Sequence, residues 1–119
     1  FFVSAREALS DSGVFAMQSE SLHFHIDYVN RVQGLLNEVF PWVDIYAVSL
    51  ATYAGNWWSF SLASKTPLAR EPVRSPVPQV RFYSEELHRH VFLPPTVIKS
   101  LTKAFTTTRD LVAQPSEGC

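Results

Sequence analysis

Residues 43–65, VDIYAVSLATYAGNWWSFSLASK, contain two strand candidates separated by a short Gly-Asn turn. Apolar and aromatic runs on both sides of such a pair predict an antiparallel hairpin. Tyr53, Trp57 and Trp58 lie beside the turn, although the turn itself needs only glycine and asparagine. Large aromatic groups in such a place either pack or bind a ligand, so this region is the first candidate site.

The remaining patterns predict the fold class. The apolar run at 14–18 is typical of a strand buried on both faces of a mainly parallel sheet, and residues 19–25 read as a loop. An amphipathic helix follows over 25–39, before the hairpin strands at 43–52 and 57–65. This order predicts an α/β protein with an open parallel sheet, to which the hairpin adds an antiparallel strand at one edge.

Composition excludes several classes of function. The chain has 119 residues and a formal net charge of −1, which argues against binding to nucleic acid through its phosphates. The single cysteine, Cys119, excludes an internal disulfide framework and a thiolate metal site, so we expect a cytoplasmic protein. No apolar run approaches the roughly 20 residues of a membrane span, so no membrane partner is expected.

The first residues continue a helical apolar stripe without an initiating methionine or a helix cap. We therefore expect the chain to be the C-terminal portion of something longer.

Polar side chains lie where the predicted strands end. Gln18 and Glu20 leave the first strand, and Tyr53 leaves the next one. In open α/β sheets ligands bind beyond the carboxyl ends of the strands, so these residues are expected to share one site. His23 and His25 form a His-x-His pair without a third ligand nearby, so polar contacts are expected there and no metal site.

Three segments resemble the C-terminal part of the spermidine synthases, which are polyamine aminopropyltransferases. This sequence and the family have five features in the same order. The first three are a strand that ends in Gln with a Glu two residues on, a helix that ends in Phe-Pro, and a Thr-Tyr turn with Gly. The last two are an aromatic strand that ends in Ala-Ser-Lys and an aromatic-Tyr-x-x-x-x-His-Arg-x-x-Phe segment. These features lie in GVFAMQSES (13–21), in 35–65 and in RFYSEELHRHVFLPP (81–95). The resemblance covers residues 1–105 and leaves 106–119 as a tail.

The resemblance implies a Rossmann-like sheet of the S-adenosylmethionine-dependent methyltransferase type, of which this chain supplies the last third. It also implies the reaction: an aminopropyl group moves from decarboxylated S-adenosylmethionine to putrescine, giving spermidine and methylthioadenosine. Decarboxylated S-adenosylmethionine is then a co-substrate, and no separate cofactor is expected. The full-length protein is expected to be a homo-oligomer, and the isolated chain is expected to be inactive.

The resemblance assigns substrate-binding roles to Gln18 and Tyr53, which would contact the amine, and to Trp58, which would line its cavity. Glu20 would bind a distal ammonium group or anchor its loop, and we leave these two roles open. No catalytic residue is assigned, because the catalytic aspartate and the nucleoside-binding turn of the family are expected upstream of Phe1. Trp57 is expected to pack against a helix on the opposite face.

Two alternatives remain at this stage. The enzyme could use another amine, such as agmatine, spermidine or the precursor of a branched product. Ala51 and Ala54 stand where the family often has proline, and the bulky Trp58 could shorten the cavity. Alternatively, the chain could belong to a non-catalytic spermidine-synthase-like domain that acts as an interaction module. The presence or absence of the aspartate-containing motif upstream would distinguish an active enzyme from this non-catalytic domain.

Overall fold

The computed structural model describes residues 1–53 and 57–102. Helices and strands alternate in the first half of the chain, as predicted, and helical segments close it. The elements are α1 (Phe2–Ala8), β1 (Val14–Ser21), α2 (Ile26–Val39), β2 (Trp42–Ser49), β3 (Trp57–Ser64) and α3 (Glu85–His90), followed by a helical stretch over 95–102. The predicted Gly-Asn turn and the tail lie outside the described residues.

The three described strands form one sheet in the order β1-β3-β2, and both ladders are antiparallel. The hairpin of β2 and β3 is confirmed, but the prediction that its antiparallel strand lies at an edge is wrong. Because β1 and β2 both run antiparallel to β3, they share one direction, as a crossover through α2 requires. That crossover leaves a gap one strand wide, which β3 fills when the chain turns back from β2.

Helix α2 covers one face of the sheet, which we call the α2 face. Its buried residues recur at spacings of three and four, as predicted, and they divide between two apolar clusters. One cluster includes Ile45 and Leu93, with Trp57 packed against it, and the other includes Phe40 and Ala63. The removal of a large aliphatic side chain from water stabilises the fold by roughly 1.5–3 kcal/mol, so this face supplies much of the stability.

The opposite face, which carries Trp58, is called the Trp58 face. Alternate residues of β1 on this face are exposed, and Val14 retains 50% of its accessible surface. The prediction of a strand buried on both faces is therefore wrong for this chain. The extended segment before α3 and the residues after it cover only the β2 and β3 side, where Phe92 pairs with Tyr46 as an isolated bridge.

Two further contacts hold this covering segment in place. The backbone N–H of Leu93 donates to the carbonyl of Ile45 at 3.1 Å, which closes part of the outer edge of β2. The Arg70 guanidinium makes two hydrogen bonds to the Asp44 carboxylate, at 2.8 and 2.9 Å. Together they fix the proline-rich region and residues 91–93 against β2.

Helix α3 begins as predicted at Ser84, whose Oγ accepts a hydrogen bond from the backbone N–H of Leu87 at 3.0 Å. His88 and Arg89 make hydrogen bonds, as expected, to Tyr83 and Glu71 respectively. The Glu71 contact raises the pKa of the Arg89 guanidinium. These contacts belong to the docking of α3.

Strand β1 is longer than predicted and contains a bulge. The ladder pairs Gln18 with Phe60 and then Ser21 with Trp58, so β1 has one extra residue in this interval. Glu20 lies in this bulge with a φ of 78°. A non-glycine residue adopts such a left-handed conformation only when the surrounding structure stabilises it. The residues predicted as the start of a loop are thus the irregular end of a strand.

Within residues 1–53 and 57–102, no helix combines the length and hydrophobicity of a membrane span.

Candidate functional site

Trp58 joins the two residues that the sequence predicts as amine ligands. Its indole N–H donates a hydrogen bond to the side-chain oxygen of Gln18, with 3.2 Å between Nε1 and Oε1. Its ring stacks on that of Tyr53, with 4.3 Å between the centroids and 22° between the planes. Gln18 and Tyr53 therefore converge on one side chain although 35 residues separate them in the sequence.

Gln18 is exposed on β1, at the last regular pair before the bulge. An indole N–H can only donate, so its partner must be the amide oxygen and not the amide NH₂ group. Among the residues that the structure describes, this contact leaves a second lone pair on the oxygen and both donor positions of the NH₂ group. Gln18 can therefore accept another hydrogen bond on the Trp58 face.

Tyr53 follows β2 in a turn, where its backbone N–H donates to the Leu50 carbonyl at 3.3 Å. The side chain keeps 42% of its accessible surface, whereas Trp58 beneath it keeps only 9%. The phenol ring thus offers one face to the indole and the rest to its surroundings. A cation or an apolar chain can lie against such a ring.

Glu20 contributes its backbone to the site. Its carbonyl oxygen accepts a hydrogen bond from Ser59 Oγ at 2.9 Å, which holds the bulge against β3. An anchoring role for this segment is consistent with that contact. The proposed binding of a distal ammonium group by its carboxylate stays a prediction.

A chain of hydrogen bonds that the sequence patterns did not predict lies beneath the site on the α2 face. Its links run from Gln33 Nε2 to Ser61 Oγ (2.7 Å), from Ser61 to Ser19 (2.8 Å), between Ser19 and Ser59 (2.9 Å), and from Ser59 to the carbonyl of Glu20. Each hydroxyl has one proton, and Ser59 donates its own to Glu20, so Ser19 must donate to Ser59. Every link then points from α2 toward the bulge.

The three serines in this series of hydrogen bonds, Ser19, Ser59 and Ser61, are fully buried. The available signal was the recurrence of serine at alternate positions of β3, SFS at 59–61. Alternate positions share one face of a strand, so small polar residues there indicate a shared buried network.

A separate apolar cavity of about 400 Å³ lies between the Trp58 face and the α3 segment. Its walls include Tyr46, Phe60, Leu87 and Phe92, but neither Gln18, Tyr53 nor Trp58. The rings of Tyr46 and Phe60 stack at 5.0 Å, and burial raises the pKa of the Tyr46 phenol. The cavity is therefore distinct from the predicted amine contacts.

Two further predictions concern the packing of Trp57 and the absence of a metal site at the histidines. Trp57 packs on the α2 face, as predicted, and its ring lies 5.7 Å from that of His23 in an edge-on arrangement. Across the described ranges, no cluster of three or more histidine, cysteine or acidic side chains is positioned to hold a metal ion.

Solved structures of known proteins identify the class of fold to which this chain belongs. The chain is similar to the spermidine synthase of Thermotoga maritima, with a TM-score of 0.73 and 26% identity over 86% of the chain and 38% of that protein. A spermidine synthase in complex with the transition-state analogue AdoDATO gives the same TM-score and identity, over 87% of the chain and 37% of that protein. The fold is thus that of part of a methyltransferase-like spermidine synthase.

Sequence relatives agree with this class. The chain is 46% identical to the polyamine aminopropyltransferase of Hydrogenobaculum sp. strain Y04AAS1, over 85% of the chain and 36% of the relative. It is 42% identical to polyamine aminopropyltransferase 1 of Aquifex aeolicus, over 79% of the chain and 34% of the relative. The model of the spermine/spermidine synthase domain matches residues 1–72. The chain belongs to the spermine/spermidine synthase family, and it spans about a third of the length of these relatives.

Proposed function

We propose that this chain is the C-terminal portion of an aminopropyltransferase, with residues 1–105 in its catalytic domain and 106–119 as a tail. The enzyme transfers an aminopropyl group from decarboxylated S-adenosylmethionine to putrescine. The observation that carries this proposal is the convergence of Gln18 and Tyr53 on Trp58 within a chain of this family.

The proposed reaction requires a proton acceptor and a nucleoside-binding site in the complete active site. An ammonium group has no lone pair, so the attacking amine must first lose a proton to a carboxylate. The neutral nitrogen then attacks the aminopropyl carbon bonded to sulfur. That carbon–sulfur bond breaks, its electron pair returns to the sulfonium sulfur, and methylthioadenosine leaves. We assign the carboxylate and the nucleoside site to the part of the enzyme outside this chain.

The residues of this chain suit the amine side of that reaction. Putrescine is a slender apolar rod with an amine at each end, so it requires apolar walls and hydrogen-bond acceptors. The free lone pair of the Gln18 oxygen can accept from an amine N–H without taking its proton. Tyr53, which keeps 42% of its accessible surface, supplies a phenol group beside it. Both groups hold the nucleophile in line with the carbon that it attacks.

The direct test measures methylthioadenosine release by the full-length enzyme with decarboxylated S-adenosylmethionine and putrescine. Gln18→Ala should raise the KM for putrescine about tenfold, because an amine loses one hydrogen bond. Asn37→Ala, on the exposed side of α2, is the matched control and should leave the KM unchanged. Absence of transfer by the wild-type enzyme would refute the proposal and favour the non-catalytic interaction module.

Agmatine and spermidine belong in the same assay as alternative acceptors. Ala51 and Ala54 replace prolines that the family often has beside the turn, which loosens it, and the bulky Trp58 shortens the cavity in this alternative. Titration of the isolated chain with decarboxylated S-adenosylmethionine should show no binding. Tight binding would contradict our assignment of the nucleoside site to the rest of the enzyme.

A further inference from the structure

We propose that Trp58 is a positioning residue for the amine substrate. Its indole N–H orients the Gln18 amide so that the carbonyl oxygen is fixed on the side that Trp58 and Tyr53 occupy. This inference rests on the proposed function, and it adds a residue that acts through Gln18. It assigns to Trp58 a task beyond that of an apolar wall.

The orientation of the amide matters because its two ends have nearly the same shape and opposite hydrogen-bond character. The oxygen only accepts, and the NH₂ group only donates. An amine or ammonium group presents N–H donors, so a flipped Gln18 would set donor against donor. Gln18 is exposed on its strand, as are the alternate residues before it on the Trp58 face of β1. The contact with Trp58 favours one orientation, since the flipped amide would oppose the indole N–H with its own NH₂ group.

Trp58 is itself held rigidly enough for this task. It lies in the central strand, where it pairs with Ser21 of β1 and with Val48 of β2. Its side chain is buried to 9% exposure between groups that are themselves exposed. A buried donor fixed by two ladders can therefore set the geometry of an exposed glutamine.

The same ring also carries Tyr53. Because one indole contacts Gln18 through its N–H and Tyr53 through its face, the spacing of the two amine ligands depends on Trp58. Substitution by phenylalanine separates these contributions. Phenylalanine retains an aromatic face for Tyr53 but has no N–H for Gln18.

The chain supplies a matched control in the adjacent residue. Trp57 points to the α2 face and packs against the apolar cluster of Ile45 and Leu93. Trp57→Phe removes the same atoms from the same strand without altering the Gln18 contact. A general effect of tryptophan loss on the folding of β3 would appear in both variants.

The experiment compares these variants in the full-length enzyme. Trp58→Phe should raise the KM for putrescine about three- to tenfold, the value of one hydrogen bond, and leave kcat and the KM for decarboxylated S-adenosylmethionine nearly unchanged. Trp57→Phe should lower the melting temperature and leave all three kinetic constants unchanged. In a Gln18→Ala background, Trp58→Phe should add no further rise in KM.

A readout independent of activity completes the test. The ¹H–¹⁵N resonance of the Trp58 indole should shift in Gln18→Ala, whereas that of Trp57 should not. An unchanged Trp58 resonance, an unchanged KM in Trp58→Phe, or the full Trp58→Phe effect in the Gln18→Ala background would each overturn the inference. If Gln18→Ala itself left the KM unchanged, the proposed amine site would fail instead, so the two failures are distinguishable.

Discussion

The two faces of the sheet differ in how they use similar residues. The α2 face is closed by two apolar clusters, and three buried serines, Ser19, Ser59 and Ser61, are joined there in one hydrogen-bonded chain. The Trp58 face leaves Gln18 and half of Tyr53 exposed around a single buried indole. Trp57 and Trp58 are neighbours in the sequence, yet the first packs in a core and the second holds two polar residues. Residue type alone therefore does not reveal the task of an aromatic side chain; the face that it occupies does.

The difference between the two faces predicts that substitutions in α2 have the largest effect on stability. Leu36 is fully buried on the α2 face, whereas the adjacent Leu35 retains 41% of its accessible surface. Leu36→Ala should lower the free energy of unfolding by about 2–5 kcal/mol, and Leu35→Ala by about 0.5 kcal/mol or less, as measured by urea denaturation. Equal losses would show that α2 does not pack on the sheet by the face described.

The serine chain predicts the next effect. Ser59→Ala removes the hydroxyl that donates to the Glu20 carbonyl and that accepts the proton of Ser19, although Ser19 still accepts from Ser61. The loss of these two hydrogen bonds should cost about 1–3 kcal/mol in the free energy of unfolding. Ser49→Ala, at the exposed end of β2, is the control. If both variants were equally stable, the chain would contribute nothing to the hold on the bulge.

The Trp58 face predicts a loss of function with little loss of stability. Tyr53→Phe removes one hydroxyl from a half-exposed ring, so kcat/KM for putrescine should fall roughly 5- to 30-fold, which corresponds to a lost hydrogen bond of about 1–2 kcal/mol. The unfolding curve should stay in place. Tyr28→Phe, exposed on α2, should change neither quantity. Unaltered kinetics in Tyr53→Phe would remove Tyr53 from the candidate site.

The smallest expected effect is a gain in stability. A Cβ at Gly34 of α2 meets nothing within 4 Å, so Gly34→Ala should raise the free energy of unfolding by up to about 1 kcal/mol. A Cβ at Gly13 would lie 2.9 Å from Leu9 Cδ2 and 3.2 Å from the Ser10 carbonyl oxygen, so Gly13→Ala should be destabilising. Thermal unfolding of the pair checks both signs, and a loss in Gly34→Ala would contradict the open surroundings described for it.

The candidate site was predictable in part, for reasons that particular residues illustrate. Gln18 and Tyr53 were predicted as neighbours because a turn can be read from a short sequence pattern and because the family resemblance pointed to both residues. Gln18 nevertheless lies inside β1 and not at its end, because the strand continues to Ser21. The role of Glu20 stays a prediction, and its left-handed backbone could not be predicted, because a bulge depends on how two strands pair. The serines were missed because each one looks like an ordinary strand residue until its partners in other strands are known.

The sequence by itself determined the local elements: an amphipathic α2, two hairpin strands, a helix that starts at Ser84, and the family to which their motifs belong. Such features depend on periodicity and capping, which act over a few residues. Only the tertiary structure decided that β3 lies between β1 and β2, and that Trp58 meets Gln18 forty residues away in the chain. Contacts of that range depend on the order of strands and on the face that each side chain occupies, and neither is encoded in any single stretch of sequence.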